Sequence, residues 1–160
     1  MARTARDIMQ THVVAVSPEE PLLEVQRLFV EEEISGAPVI DEDGRVLGVL
    51  SSTDLLRAVS EEEQGAAATP QYFRELVEFS GPDWGMVPED FQNRLAQLTA
   101  ADAMSEQVIS VGPDAGIAEI ARTLRFHRIH RVLVQQDGRL LGLVSGFDLI
   151  GLLEKGEGGS

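Results

Sequence analysis

The sequence contains no cysteine. That excludes disulfides, thiol nucleophiles and thiolate metal sites, and nothing else in the chain demands an oxidising compartment. No apolar run approaches the ~18 residues of a membrane span, and the first ten residues, MARTARDIMQ, lack the apolar core of a signal peptide. The chain therefore reads as cytoplasmic, with no membrane partner. Basic residues are scarce: 13 Lys and Arg against 27 Asp and Glu give a net charge of −14, which repels polyanions and argues against sequence-independent nucleic-acid binding. Catalytic signatures are missing too, with no G-x-S-x-G elbow, no HExxH and no P-loop, so the chain reads as a non-enzyme. What it does have is 160 residues of 43% hydrophobic content, enough for a compact globular domain.

Within those residues a pattern occurs twice. Gly44 to Leu56, GRVLGVLSSTDLL, returns as Gly138 to Ile150, GRLLGLVSGFDLI. Upstream, Asp7, Met9 and Pro18 match Asp102, Met104 and Pro113 at a shift of 95, while Gly44, Ser51 and Asp54 match Gly138, Ser145 and Asp148 at a shift of 94. One residue is thus lost before the second Asp-Gly turn. Each unit is too short to bury a good core alone, so the two are expected to fold together.

Taken in order, Thr4 to Met9 reads as a short lead-in helix and Val13 to Val16 as a strand. Ser17-Pro18-Glu19-Glu20 then has the form of a helix start, with Ser as N-cap, Pro at the first position and Glu for a capping box. Leu22, Val25, Leu28 and Phe29 supply the buried face of that helix, and Ile34 closes it. Ala37 to Ile40 and Val46 to Leu50 form a hairpin across an acidic Asp-Gly turn, and Asp54 to Val59 a second helix. The second copy repeats this order: Val108 to Val111, a helix starting at Gly112-Pro113-Asp114 with Ile117, Ile120, Ala121 and Leu124 inward, a hairpin over Leu133 to Gln135 and Leu140 to Val144, and a helix over Asp148 to Leu153. The fold class is α/β (α+β), β-α-β-β-α twice. Domain boundaries follow: a first unit with its lead-in helix over 1–60, a helical insertion over 61–98, a second unit over 99–155, and a glycine-rich tail over 156–160. In the insertion, Tyr72 to Phe79 and Pro88 to Leu98 have helical spacing around a turn at Ser80-Gly81-Pro82-Asp83, and Trp84 lies between them. Its simplest reading is an elaboration packed on the repeat core.

The doubled Ser-x-x-Asp is the first candidate for chemistry. A carboxylate can accept from both hydroxyls of a ribose, and a hydroxyl with free N–H groups at a helix start suits a phosphate. Capping explains either copy taken singly; its repetition at fixed spacing favours a ligand. The second candidate is the one cationic stretch, RTLRFHRIHR at 122–131. Arg122 and Arg125 read as solvent-facing, but His130 and Arg131 fall past the helix, where the first unit has Ser35 and Gly36, and an arginine there can contact a phosphate with both arms of its fork. His127 and His130, with no third neighbouring ligand, do not make a zinc site, and no metal or catalytic cofactor is expected.

These motifs together resemble the CBS-domain pair, or Bateman module, named after cystathionine β-synthase. The resemblance covers 4–59 and 99–154, on the D-I-M and D-A-M openings, V-S-P and V-G-P, ISGAPVI and IHRVLV, and the G-x-apolar-apolar-S-x-x-D endings. It implies two units packed as a pseudo-twofold pair, with clefts for adenosine-containing ligands: AMP, ADP, ATP or S-adenosylmethionine. It further implies that Asp54 and Asp148 hold ribose hydroxyls and that Ser51 and Ser145 lie near ribose or phosphate. Val14 and Ile109 would offer backbone groups to the adenine edge, with Ile34 and Ile129 against its faces. His130 and Arg131 look like the phosphate-contacting segment in the gamma subunit of AMP-activated protein kinase. Because the first unit has Ser-Gly where the second has His-Arg, the clefts are expected to be unequal; Leu133 also replaces the usual proline, matched by Pro38. The implied partners are an adenosine-containing small molecule, a second copy in a disc-like homodimer, and a separate effector protein. The alternative is a dimeric scaffold that binds no ligand and docks through the insertion at 61–98.

Overall fold

A computed structural model describes residues 3–60, 69–74 and 89–154. Their elements are α1 (Ala5–Ile8), α2 (Leu22–Glu32), β1 (Gly36–Ile40), β2 (Val46–Ser51), α3 (Ser52–Ser60), α4 (Gln71–Arg74), α5 (Glu89–Gln97), α6 (Ala100–Ala103), β3 (Ser110–Val111), α7 (Ile117–His127), β4 (Arg131–Gln136), β5 (Arg139–Ser145) and α8 (Gly146–Glu154). The mixed α and β class expected from the alternation is the one observed. The helix expected over 72–79 is described only as far as Arg74, and Trp84 and the tail at 156–160 lie outside the described residues. None of the described helices is long and apolar enough to cross a membrane.

The chain forms two compact units, Val14–Val108 and Met1–Val13 with Ile109–Ser160. This partition differs from the division of the sequence into repeats, because the lead-in helices are exchanged. Helix α1 opens the first repeat but gives its N–H groups to the second: Ala5 N donates to Ala115 O (2.8 Å) and Arg6 N to Pro113 O (2.9 Å). Helix α6 reciprocates on the first repeat, with Ala100 N to Glu20 O (2.9 Å) and Ala101 N to Pro18 O (3.0 Å). A four-residue helix leaves most of its N–H groups without an intrahelical acceptor, and these carbonyls supply acceptors.

The same bonds correct the expected helix starts. The carbonyls of Pro18 and Glu20 already accept from α6, and α2 begins at Leu22 with Pro21 as its N-cap, without the capping box expected at Ser17. Likewise α7 begins at Ile117 with Gly116 as N-cap, not at Gly112-Pro113-Asp114. At their other ends Glu33 (φ 55°) and Arg128 (φ 56°) take the left-handed conformation, so that Ile34 N reaches Phe29 O (2.9 Å) and Ile129 N reaches Leu124 O (3.0 Å).

In the Val14–Val108 unit β1 and β2 pair antiparallel. The strand expected over Val13 to Val16 reduces to a single parallel bridge from Val16 to Val39. In the other unit the order is β3-β4-β5, with β3 parallel and β5 antiparallel to β4. Its hairpin turns through Asp137 (φ 54°) and Gly138 (φ 82°), two consecutive left-handed residues as a two-residue hairpin requires. Each lead-in also adds two backbone bonds at a sheet edge: Gln10 with Leu143 (2.8 and 3.0 Å), and Ser105 with Val49 (2.8 and 2.9 Å).

The periodicity of α2 is realised: Leu22, Val25 and Phe29 are fully buried, in one cluster with Val39, Leu50 and Leu55. In α7, Ile120 and Leu124 are buried, but Ala121, expected inward, is exposed. The described part of the insertion contributes several buried side chains. Tyr72 and Phe73 of α4 are buried edge to face, and Leu95 of α5 joins the α2 and α3 cluster.

Candidate functional site

Both Ser-x-x-Asp motifs are reciprocal capping boxes. In the first, Ser51 N and Oγ donate to Asp54 Oδ2 (2.9 and 3.0 Å), and Asp54 N donates to Ser51 Oγ (3.3 Å). In the second, Ser145 N and Oγ donate to Asp148 Oδ2 (2.8 and 3.1 Å), with Asp148 N returning to Ser145 Oγ (3.3 Å). Strand and helix are contiguous here, so the hydroxyl and carboxylate close the first turn of α3 and of α8. The carboxylate bonds recur at the lead-in helices, where Thr4 donates to Asp7 (2.8 and 3.1 Å) and Thr99 to Asp102 (2.8 and 3.1 Å). The described residues therefore carry four Ser/Thr-x-x-Asp boxes. Capping occupies one oxygen of each carboxylate, and what the other oxygen meets separates the two candidate sites.

Asp54 is only 3% exposed. Its Oδ1 lies 3.5 Å from Arg57 Nη1. Helix α4 packs on β2 and brings in the charge of Arg74, whose Nε is held by Thr69 O (2.8 Å). Burial raises the Asp54 pKa above 3.8, outweighing the opposing hydrogen bonds from Ser51 and the charges of Arg57 and Arg74. A carboxyl raised in this way binds its proton more tightly folded than unfolded. Its contribution to stability is complete below pH 3.8 and is lost as pH rises through the folded value. Asp54→Asn keeps an acceptor for the cap and does not titrate, so its melting temperature should rise relative to wild type between pH ~3.5 and ~7. A constant or opposite difference would show that burial does not dominate at this carboxyl. Asp7 runs the other way: the Thr4 backbone bond, first, and its hydroxyl lower the pKa, so its contribution is present above 3.8 and is lost as pH falls through the folded value.

Asp148 is half-exposed. Its neighbour is Gln10, whose Nε2 stands 3.3 Å from Oδ2 and 3.5 Å from Oδ1, at the long end of hydrogen bonding. Asp148 lines a cavity of about 340 Å³ with Arg3, Asp7, Ile8, Phe147, Gly151 and Leu152. His130 and Arg131 sit at the same end of β4 and β5: Arg131 pairs with Ser145 across the ladder, and His130 O accepts from Gly146 N (2.9 Å). His130 is exposed and Arg131 half-buried. One strand pair thus places Ser145, His130 and Arg131 at one end, with Asp148 three residues beyond Ser145 in α8; none of the other three lines the Asp148 cavity.

The apolar candidates fare differently. Ile109 and Ile129 are buried, and Ile109 O already accepts from Leu133 N (3.2 Å), which engages a backbone group expected to face an adenine edge. Val14 and Ile34 are half-buried and belong to the other unit, with Ser51 and Asp54. That unit has a second cavity, of about 490 Å³, but Glu19, Asp41, Glu42 and Asp43 line it, a charge that repels phosphate. Among the described residues no group of three or more His, Asp or Glu is placed to hold a metal ion. Gln10 and Arg74 were not expected at the sites. No local signal marks them, since each reaches its aspartate through tertiary packing; the Thr-x-x-Asp boxes, by contrast, could have been read from the 95-residue shift.

Residues 5–61 and 100–155 each match the CBS domain family. The chain is 32% identical to the uncharacterized protein MJ1426 of Methanocaldococcus jannaschii, over 91% of this chain and 88% of that one. Among solved structures it resembles CBSX2 in complex with AMP (21% identity, 96% and 97% of the two chains, TM-score 0.65). It also resembles the CBS domain pair of MJ0100 in complex with 5′-methylthioadenosine and S-adenosyl-L-methionine (18%, 98% and 99%, TM-score 0.64). With both repeats matched, the chain belongs to the CBS domain family.

Proposed function

We propose that this member of the CBS domain family is a non-enzymatic regulatory module that binds an adenosine-containing ligand through its second repeat and signals to a partner. The observation that carries this reading is the difference between two equivalent carboxylates, Asp54 sealed at 3% exposure and Asp148 half-exposed beside a cavity. Ribose hydroxyls would replace the long contacts from Gln10, donating to the Asp148 oxygen that capping leaves over. Arg131 would supply a cationic donor for a phosphate and His130 a ring N–H on the same strand ends. The AMP complex of CBSX2 and the S-adenosylmethionine complex of MJ0100 support the ligand class. For the ligand to act as a signal it must bind two conformations with different affinity, since tight binding to both shifts nothing. The scaffold alternative gains nothing from Tyr72 and Phe73, which are buried and unavailable for docking.

A thermal-shift panel with AMP, ADP, ATP and S-adenosylmethionine tests the proposal. Ligand at ~100 times its dissociation constant adds about 2.7 kcal/mol, which is roughly 5–10 °C for a chain this size. Asp148→Asn, which keeps the cap acceptor, should lose most of that shift, whereas Asp54→Asn should retain it. No shift with any of the four at millimolar concentration would refute the ligand reading.

A further inference from the structure

Helices α2 and α7 are equivalent in the repeat, at the shift of 95, yet their ends differ in charge. The first runs out through Glu31, Glu32 and Glu33, where the second has Phe126, His127 and Arg128. Within α2, Arg27 is bridged to Glu24 (2.8 Å). The equivalent Arg122 makes no side-chain hydrogen bond or ion pair among the described residues, and neither do Arg125 and Arg128. All three are exposed, and so is Phe126, at 82% the highest value for a large apolar side chain among the described residues. Between Glu119 and Asp137 the sequence has no acidic residue. Three and four residues apart, Arg122, Arg125 and Phe126 share one face of α7, and Arg128 follows at its cap, about 9 Å along from Arg122. Cations in a last turn suit the helix dipole, but α2 ends without any. The dipole also asks for neither an exposed aromatic nor an arginine before the last turn.

We infer that this face of α7 is a docking surface for an acidic protein segment with an apolar side chain, its carboxylates on Arg122, Arg125 and Arg128 and its apolar group on Phe126. Charge complementarity names the partner. Neighbouring like charges on a helix repel, so an anion here relieves a cost that the chain otherwise bears. A guanidinium receives a carboxylate with both arms of its fork, and arginine beside an aromatic is the composition enriched at protein interfaces. The cationic face is about one Debye length long, which matches a short segment with a few carboxylates. A nucleic acid or an anionic bilayer extends well beyond it and meets the field of a chain with a net charge of −14. Neither His130 nor Arg131 is required, and the surface does not depend on the ligand reading above.

Fluorescence anisotropy of a short labelled peptide of repeating Glu-Glu-Leu, titrated with the full chain at low salt, tests this. Wild type is compared with Arg122→Gln, Arg125→Gln, Phe126→Ser and, as the control, Arg139→Gln, an exposed arginine of β5 in the same unit. The peptide should bind wild type, roughly threefold more weakly to each of the two α7 arginine variants, and equally to Arg139→Gln, which removes the same charge elsewhere. Replacing the peptide's leucines by serine should weaken its binding to wild type but not to Phe126→Ser. All four side chains are exposed, so far-ultraviolet circular dichroism should be unchanged. No binding at chain concentrations up to about 1 mM would overturn the inference. So would an equal loss in Arg139→Gln, or tighter binding of a DNA duplex or of phosphatidylserine vesicles that the same α7 variants abolish.

Discussion

Gly142→Ala should lower the stability of the chain by about 2–4 kcal/mol, a loss composed of overpacking and disrupted hydrogen bonds. A Cβ built on Gly142 stands 2.6 Å from the carbonyl oxygen of Gln10 and 2.8 Å from Met9 Sδ. The methionine can move aside, but the carbonyl cannot, because it accepts from Leu143 N while Gln10 N donates back to Leu143 O. A methyl group therefore pries the lead-in segment from the edge of β5. Gly48 is the counterpart, its Cβ position 2.5 Å from the carbonyl of Ser105, and Gly48→Ala should behave alike. Gly112→Ala is the control, with no left-handed φ and nothing within 4 Å of the added Cβ. Melting curves read the result, with an expected fall of roughly 5–15 °C for either tight glycine. A Gly142→Ala protein melting within a degree or two of the control would mean that the lead-in does not approach β5 so closely.

Phe29→Ala should cost about 3–5 kcal/mol, the range for removing a buried aromatic and leaving its cavity. Phe29 is fully buried and belongs to one cluster with Leu22, Val25, Leu55 and Leu95, so the void would open where α2, α3 and α5 meet. Phe126, on α7 two residues beyond the position equivalent to Phe29, is 82% exposed; Phe126→Ala should change stability by less than ~0.5 kcal/mol. Urea titration of the two variants distinguishes them by their midpoints at unchanged slope. Equal effects would contradict the burial assigned to α2.

The sequence was most legible where structure depends on near neighbours. The two hairpins follow from alternating apolar runs across Asp-Gly turns, and the α2 face from apolar residues three and four apart. The helix starts were misplaced by about one turn because Ser17-Pro18 and Gly112-Pro113 have the composition of caps, while the carbonyls of Pro18 and Pro113 are engaged by helices from distant parts of the chain. Glu33 and Arg128 gave no sign of a left-handed residue, since neither is glycine. At the candidate site the residue types, Ser145, Asp148, His130 and Arg131, were readable, and the expectation of unequal sites rested on His-Arg against Ser-Gly. The larger inequality is the burial of Asp54, in a unit where α4, from a stretch with no counterpart in the repeat, packs on β2. A repeat predicts symmetry, and packing by an unrepeated segment is invisible to it.

The exchange of lead-in helices also sets an order of assembly. Residues 14–108 hold every strand, helix and lead-in of their own unit, so that unit can close while the rest of the chain is still being synthesised. The other unit consists of the first thirteen residues and the last fifty-two. Residues 1–13 emerge before β5 and must wait until it exists to receive Gln10. Contacts of such sequence separation form slowly, since the intervening loop must close before they repay its entropy. The last event in folding is therefore expected to be the docking of residues 1–13, which would also complete the lining of the Asp148 cavity with Arg3, Asp7 and Ile8.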